Sequence, residues 1–191
     1  MLKRMTNLLL ICVMAVALTA CGGETVINTT NVEIEVEDYG VIKVELYPDM
    51  APETVKNFLK LIDEGFYDGL VFHRVVSSGI FVIQGGGEDV DGMPHVAETI
   101  VGEFASNGYE KNTLSHERGV ISMARADDPN SGSSQFFICS GDSTGLDGQY
   151  AGFGKVTDGM DIVDKIVKLT TFPNSDRPLY TPVIKTIRRA Q

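Results

Sequence analysis

The sequence predicts a mainly β fold, a closed barrel or a sandwich of short strands carrying two amphipathic helices. Three observations carry that expectation. Eight short runs rich in Val, Ile, Phe and Leu are separated by Gly, Pro and Asp. Only two stretches, near 51–65 and 159–169, place apolar residues at helical spacing. A length of 191 residues with 43% hydrophobic and 22% charged residues suits one globular domain with an ordinary core. No internal repeat or low-complexity segment interrupts it.

The chain opens with a segment that does not belong to this fold. Lys3 and Arg4 precede an apolar run, Leu8 to Leu18. Eleven residues are too few to span a bilayer, which needs about 20 in a helix, but they suit a secretory signal. The run ends in Leu18-Thr19-Ala20-Cys21-Gly22-Gly23, which resembles the lipobox of bacterial lipoproteins. That resemblance implies a signal peptide over 1–20, lipid on Cys21, a polar tether over 21–31 and a domain over 32–191. The alternative is an ordinary signal cleaved after Ala20, leaving a free Cys21. Lipidation would anchor the chain to the bacterial cell membrane, outside the cytoplasm. Without Lys3 and Arg4 the chain carries 14 basic and 26 acidic residues, a net charge of −12. An anionic bilayer would repel it, so lipid and not charge must hold it there. The same acidity argues against nucleic acid as a partner. Cysteines at 12, 21 and 139 form no metal-ligand spacing and no disulfide framework.

The elements follow in order. Val32, Ile34 and Val36 alternate with Glu33 and Glu35, and Ile42, Val44 and Leu46 alternate with Lys43 and Glu45. With Asp38-Tyr39-Gly40 between, this reads as a hairpin with one buried face, Lys43 and Glu45 facing the glutamates opposite. Ala51-Pro52-Glu53-Thr54 opens a helix with proline near its first turn and an acid at its positive end. Val55, Phe58, Leu59 and Ile62 line one face, and Gly65 ends it as a left-handed cap. Further strands are expected at 70–76, 81–84, 120–124, 135–140, 152–156 and 183–188. A second helix is expected over 159–169, capped by Asp158, with Ile162, Val163, Ile166 and Val167 buried. The glycine- and acid-rich stretch from 85 to 112 reads as a long loop, a type often tied to function.

Gly141-Asp142-Ser143-Thr144-Gly145 satisfies the G-x-S-x-G pattern of a hydrolase nucleophile elbow. A turn sequence follows instead of a helix, and no histidine lies beyond His116. A serine hydrolase using one of the earlier histidines remains an alternative. His73, His95 and His116 have no metal-ligand spacing. A stronger signal is Phe72-His73-Arg74-Val75-Val76. Strict alternation puts Phe72, Arg74 and Val76 on one face, holding an arginine against apolar surroundings, where a charge needs a partner or a task. Gln84 before three glycines, and Gln135 two residues from Phe137, add amide-reading edges to an apolar pocket. The combination suits a neutral peptide.

Phe72-His73-Arg74, Gln84-Gly85-Gly86, Met123-Ala124-Arg125, Ser134 to Ile138, and Leu146-Asp147-Gly148 through Phe153 to Val156 resemble the signature blocks of cyclophilins. Those are peptidyl-prolyl cis-trans isomerases. Ala51 to Phe58 is similar to the family's first helix, and the likeness runs from about Val32 to Arg188. It implies a closed eight-stranded antiparallel barrel capped by two helices, with no metal or organic cofactor, and a monomer is expected. It implies Arg74 as the catalytic residue. Phe81, Val82, Phe137 and Leu146 would hold the proline ring, Gln84 and Gln135 the substrate's amides, and Ala124 and Arg125 the residues before proline. Proline-containing peptides and unfolded exported proteins are the implied partners. A peptide-binding module using the same groove without turnover is the alternative within the fold.

Three departures from the family's pattern stand out. Gly145 replaces a residue that is often Trp or Phe, Tyr150 stands where His is common, and two extra residues separate Arg74 from Phe81. Tyr150 offers a ring and a hydroxyl in the histidine's place and is expected to contact the substrate. The first departure puts inhibition by cyclosporin in question more than catalysis. The third puts the position of Phe81 in question.

Overall fold

The structure is a computed structural model that describes residues 29–190. Eight strands form one antiparallel sheet: β1 Thr30–Val36, β2 Gly40–Leu46, β3 Leu70–Ser78, β4 Ile80–Asp89, β5 Val120–Met123, β6 Phe136–Cys139, β7 Gly152–Asp158 and β8 Ile184–Arg189. Helix α1 spans Pro52–Asp63 and helix α2 Met160–Val167. The strand order is β3-β4-β6-β5-β7-β2-β1-β8. β1 begins two residues inside the expected tether. The expected signal peptide and Cys21 lie outside the described residues.

Strand number, antiparallel pairing and both helices match the expectation. Closure is less complete than a barrel requires. The sheet is an open, strongly curled half-barrel with β3 and β8 as its end strands. They meet through a bridge between Val71 and Val183 and the N–H groups of Gly69 and Phe72, which donate to the carbonyls of Ile184 and Pro182. Past this seam β3 pairs with β4 on one edge, and on the other its Val75 N–H donates to the Asp176 carbonyl.

Period-two patterning builds the first hairpin as read. Glu33 pairs with Lys43 and Ile34 with Ile42, and Asp38 adopts a left-handed φ of 64° at the turn. The helices plug the ends of the curled sheet. α1 buries Val55, Phe58, Leu61 and Ile62, and Phe58 packs against Tyr67, Phe136 and Phe153 at 5.1–5.5 Å between ring centroids. Its free N-terminal N–H groups find an acceptor not visible in the local sequence. Glu103, 4% exposed, accepts from the N–H groups of Glu53 and Thr54 and from the Thr54 hydroxyl. Gly65 follows the last turn at φ 69° and donates to the Ile62 carbonyl, as a left-handed cap should. α2 is shorter than expected. Gly159 at φ 91° precedes it without a side-chain cap, Asp158 ends β7 instead, and Val167 is half-buried.

The stretch read as a loop from residue 85 first continues β4 to Asp89. The remainder makes one short 3₁₀ turn at Ala105–Asn107 and buries Glu103, Phe104 and Asn112. Among the described residues no helix is long and apolar enough to cross a membrane.

Candidate active site

The cleft exists because β4, β5 and β6 bury both of their faces. Inward-pointing Ile83, Ile121, Phe136 and Ile138 join the main core. Outward-pointing Val82, Val120, Phe137 and Cys139 form a second apolar cluster, extended by half-buried Ile80, Ala124, Leu146 and Tyr150. Four consecutive buried residues in each of β5 and β6 are the mark of strands covered on both sides. The outer cluster floors an open cleft with a polar rim. Its floor is Ile80, Val82, Phe137 and Leu146, and its polar rim is Arg74, Gln84 and Arg125, with Ala124 and Tyr150 as walls. A second depression shares Gln84, Ala124 and Arg125 with it and continues to Gln135 and Ser133.

Arg74 reaches this cleft through a break in strand alternation. Phe72 pairs with Gly85 and Arg74 with Gln84, so His73 is an extra residue on β3. Such a bulge re-aims the side chains around it. Phe72 therefore enters the main core, while Arg74 turns outward with Val76. The expectation that Phe72 and Arg74 share a face is corrected by this bulge. The Arg74 guanidinium donates from Nε to Asp176 Oδ2 at 3.0 Å and from Nη1 to Gln84 Oε1 at 3.3 Å. Gln84 Nε2 donates in turn to Gln135 Oε1 at 2.9 Å. Gly87 makes room for this chain. A Cβ at Gly87 would lie 2.5 Å from the Gln135 side chain.

Phe81 requires a second correction. It is not among the residues lining the cleft, and it is 39% exposed. The two extra residues lengthen the β3–β4 hairpin by regular pairing, Ser77 with Phe81 and Ser78 with Ile80, around Gly79 at φ 79°. With β4 regular back to Ile80, the residues facing the cleft are Ile80, Val82 and Gln84. Phe81 falls on the opposite face, where its ring packs on Gly141. Ile80, unassigned by the sequence reading, takes the place expected for Phe81. Counting backwards in twos from Gln84 would have found it. Asp176, also missed, had no local signal, since it lies 102 residues beyond Arg74.

The remaining expected residues fall as follows. Tyr150 packs edge-on to Phe137 at 5.7 Å and lies under the Arg125 guanidinium at 4.7 Å. Phe104 flanks the same guanidinium at 5.3 Å, and Arg125 Nε donates to the Gln149 carbonyl. Gly145 sits in a 3₁₀ turn, and a Cβ there would meet open space.

Ser143 is not placed as a nucleophile. It is 3% exposed, and its hydroxyl accepts from the Phe81 N–H and donates to the Gly141 carbonyl. The His116 ring faces elsewhere. Its Nδ1 lies 2.9 Å from Asp147 Oδ1 and its Nε2 2.9 Å from Ser122 Oγ. In that Ser-His-Asp chain His116 and Ser122 are fully buried, and only the Asp147 end meets solvent. His116 backs the cleft floor, stacking on Phe137 with centroids 5.9 Å apart. Burial pushes the His116 pKa below the ordinary imidazole value, against the opposing pull of Asp147. Burial likewise pushes the Cys139 thiol up to about 12, leaving it an inert filler of the outer cluster. Among the described residues no group of His, Cys, Asp and Glu could hold a metal ion.

A family model, cyclophilin type peptidyl-prolyl cis-trans isomerase, matches residues 31–189. A peptidyl-prolyl cis-trans isomerase of Acinetobacter baylyi is 42% identical over 137 residues, 69% of each chain. Peptidyl-prolyl cis-trans isomerase B of Escherichia coli is 40% identical over 142 residues, 70% of this chain and 82% of that one. A crystal structure of a Cryptosporidium parvum cyclophilin-type isomerase superposes with a TM-score of 0.70 at 31% identity, covering 86% of this chain and 99% of that one. A second structure of that protein, obtained in the presence of the dipeptide Ala-Pro, superposes with a TM-score of 0.69. The family model spans nearly all of the described chain and the curled eight-stranded fold is shared with the Cryptosporidium structure, so the chain belongs to the cyclophilin-type peptidyl-prolyl cis-trans isomerases.

Proposed function

We propose that this isomerase turns X-Pro amides in the cleft between Arg74 and Phe137, and that it does so outside the cytoplasm on exported proteins, held to the membrane by lipid on Cys21. The observation that carries the first part is the Arg74 guanidinium, held by Gln84 at the rim of an apolar floor. A proline ring suits that floor of Ile80, Val82, Phe137 and Leu146. The Ala-Pro dipeptide used with the Cryptosporidium relative supports the same class of ligand.

Rotation about X-Pro is slow because the amide nitrogen delocalises its lone pair into the carbonyl, giving a barrier of about 18–20 kcal/mol. At the twisted geometry the nitrogen becomes pyramidal and regains that lone pair. It is then an acceptor that neither ground state offers. Arg74 has N–H groups beyond those given to Asp176 and Gln84, and these donate to the nitrogen or hold the turning carbonyl. The interaction is stronger in the transition state than before it, which is the condition for acceleration. An acceleration of about 10⁵ needs about 7 kcal/mol. Arg74 supplies part of this, and fixing the peptide in the cleft supplies the rest. Gln84 and Gln135 present amide edges to the substrate backbone, and Ala124 and Arg125 flank the residues before proline.

We read the β3–β8 seam as closing the curled sheet into a barrel, because the bonds of Gly69 and Phe72 bring the two end strands together. The lipid anchor rests on the Leu18 to Gly23 pattern, and the net acidity makes a purely electrostatic attachment unfavourable.

The test of catalysis is exchange between cis and trans forms of a short X-Pro peptide. Acceleration is expected, and simple binding without acceleration would leave only a peptide-binding module. The test of anchoring is fractionation of cells making the full chain. The parent is expected in the membrane fraction with a lipid-sized mass increment on Cys21. A Cys21→Ala variant is expected in the soluble exported fraction, and a parent found there would refute the anchor.

A further inference from the structure

A carboxylate stands against Arg74 on the side away from Gln84, and no step above uses it. It comes from the segment between α2 and β8, which folds back as a small hairpin. Thr171 bridges Pro178, the Phe172 N–H donates to the Arg177 carbonyl at 2.9 Å, and the Leu179 N–H donates to the Thr170 carbonyl at 2.8 Å. Asn174 turns the chain at φ 57°. Asp176, next to that turn, is fastened to β3 twice. Its carbonyl accepts the Val75 N–H at 2.8 Å, and its Oδ2 accepts Arg74 Nε at 3.0 Å. Its neighbour Arg177 pairs with Glu88 of β4. The hairpin is thus pinned across the strand pair that carries Arg74 and Gln84.

We propose that Asp176 is a positioning residue that fixes the plane of the Arg74 guanidinium for catalysis. The inference rests on the reading of Arg74 as the transition-state donor and adds to it a residue from a distant segment. A guanidinium is planar, and two bonds on different edges determine its orientation. Gln84 holds the Nη1 edge and Asp176 the Nε edge, which leaves the remaining Nη hydrogens for the cleft. With one bond alone the group swings about a long side chain of high rotamer freedom. Asp176 chooses the Nε hydrogen, the one donor of the five that lies farthest from the fork's tip. The Arg74 and Asp176 side chains are 39% and 50% exposed, so the pair adds little to stability. Its effect belongs to geometry, and kinetics should register it where melting does not.

Five proteins decide it: the parent, Asp176→Ala, Asp176→Asn, Arg74→Lys and the Asp176→Ala/Arg74→Lys double variant. Exchange on an X-Pro peptide is measured well below all melting temperatures. Asp176→Ala is expected to lower kcat about tenfold with KM changed less than about twofold. Asp176→Asn keeps an oxygen acceptor and should recover part of that loss. Lysine carries a rotating point charge and no planar fork for a second bond to orient, so Asp176→Ala should change little further in the Arg74→Lys background. A parental rate in Asp176→Ala, or the same loss in both backgrounds, overturns the positioning role. If Arg74→Lys alone keeps the parental rate, the arginine reading fails and this inference with it. If Arg74→Lys is impaired while Asp176→Ala is not, only the inference about Asp176 fails.

Discussion

Replacing Arg74 by alanine separates catalysis from folding, and the structure sets both magnitudes. The side chain is 39% exposed and makes two recorded polar contacts, to Asp176 at 3.0 Å and to Gln84 at 3.3 Å. A solvent-exposed ion pair is worth about 0.2–1 kcal/mol, and water can replace the longer bond to Gln84. The stability cost should therefore be about 1 kcal/mol, a fall in melting temperature of about 2–4 °C for a domain of this size. The rate should fall far more. Removing one charged donor aimed at developing electron density costs about 2.7–4 kcal/mol, a factor of about 10²–10³. Against the roughly 7 kcal/mol of a 10⁵-fold acceleration, the apolar floor of Val82, Phe137 and Leu146 would still provide measurable turnover. Exchange on a short X-Pro peptide, run beside thermal melting of the same samples, reads both quantities. A folded Arg74→Ala variant within about threefold of the parent would refute the arginine's role in the transition state. A melting temperature lowered by more than about 10 °C would show that the side chain is structural, against its exposure.

Further outcomes follow from the site. Ile80→Ala removes apolar floor worth about 1 kcal/mol and should lower kcat/KM about fivefold, whereas Phe81→Ala, on the other face, should stay within about twofold. Equal losses in the two variants would contradict the cleft-facing register of β4. Burial depresses the pKa of both His116 and His73, with Asp147 and Glu88 respectively pulling the other way. The neutral rings therefore favour folding above an unfolded-state pKa of about 6.5, and the unfolded chain takes up protons first below it. Stability should fall as pH drops below about 6.5 towards the folded-state values. Urea midpoints of His116→Gln should fall less steeply over that range than those of the parent, and identical slopes would exclude His116 as a source. Gly145 leaves open space at the rim, so the parent should bind cyclosporin weakly. Gly145→Trp should tighten binding by about 2 kcal/mol, roughly 30-fold, with a smaller change in kcat/KM. Tight inhibition of the parent in a titration would show that another residue fills that space.

Local periodicity alone made most elements legible. Glu33 against Lys43 and Ile34 against Ile42 are pairings that alternation requires once a turn is placed at Asp38–Gly40. The first helix ran from the proline to the left-handed glycine that its chemistry demanded. The short motifs also placed Arg74, Gln84, Phe137 and Leu146 around one cleft. Phe81 failed for a local reason, since neighbours on a regular strand cannot face the same side. The two additional residues extended the hairpin and kept the strand regular, so Ile80 reached the cleft instead.

Other features were beyond any local reading. Whether His73 is an extra residue depends on how β3 pairs with β4, and that bulge is what separates Arg74 from the core that receives Phe72. The acceptor for the first turn of α1 is Glu103, some fifty residues away. The partner of Arg74 Nε is Asp176, supplied by a hairpin from the far end of the chain. The β3–β8 seam is likewise a contact between segments remote in sequence. Period, turn chemistry and caps act between residues a few positions apart, so the sequence by itself determined the strands, the helices and the family of the cleft. Bulges, buried acceptors and ion pairs between distant segments depend on which strands become neighbours, and only the tertiary structure decided those.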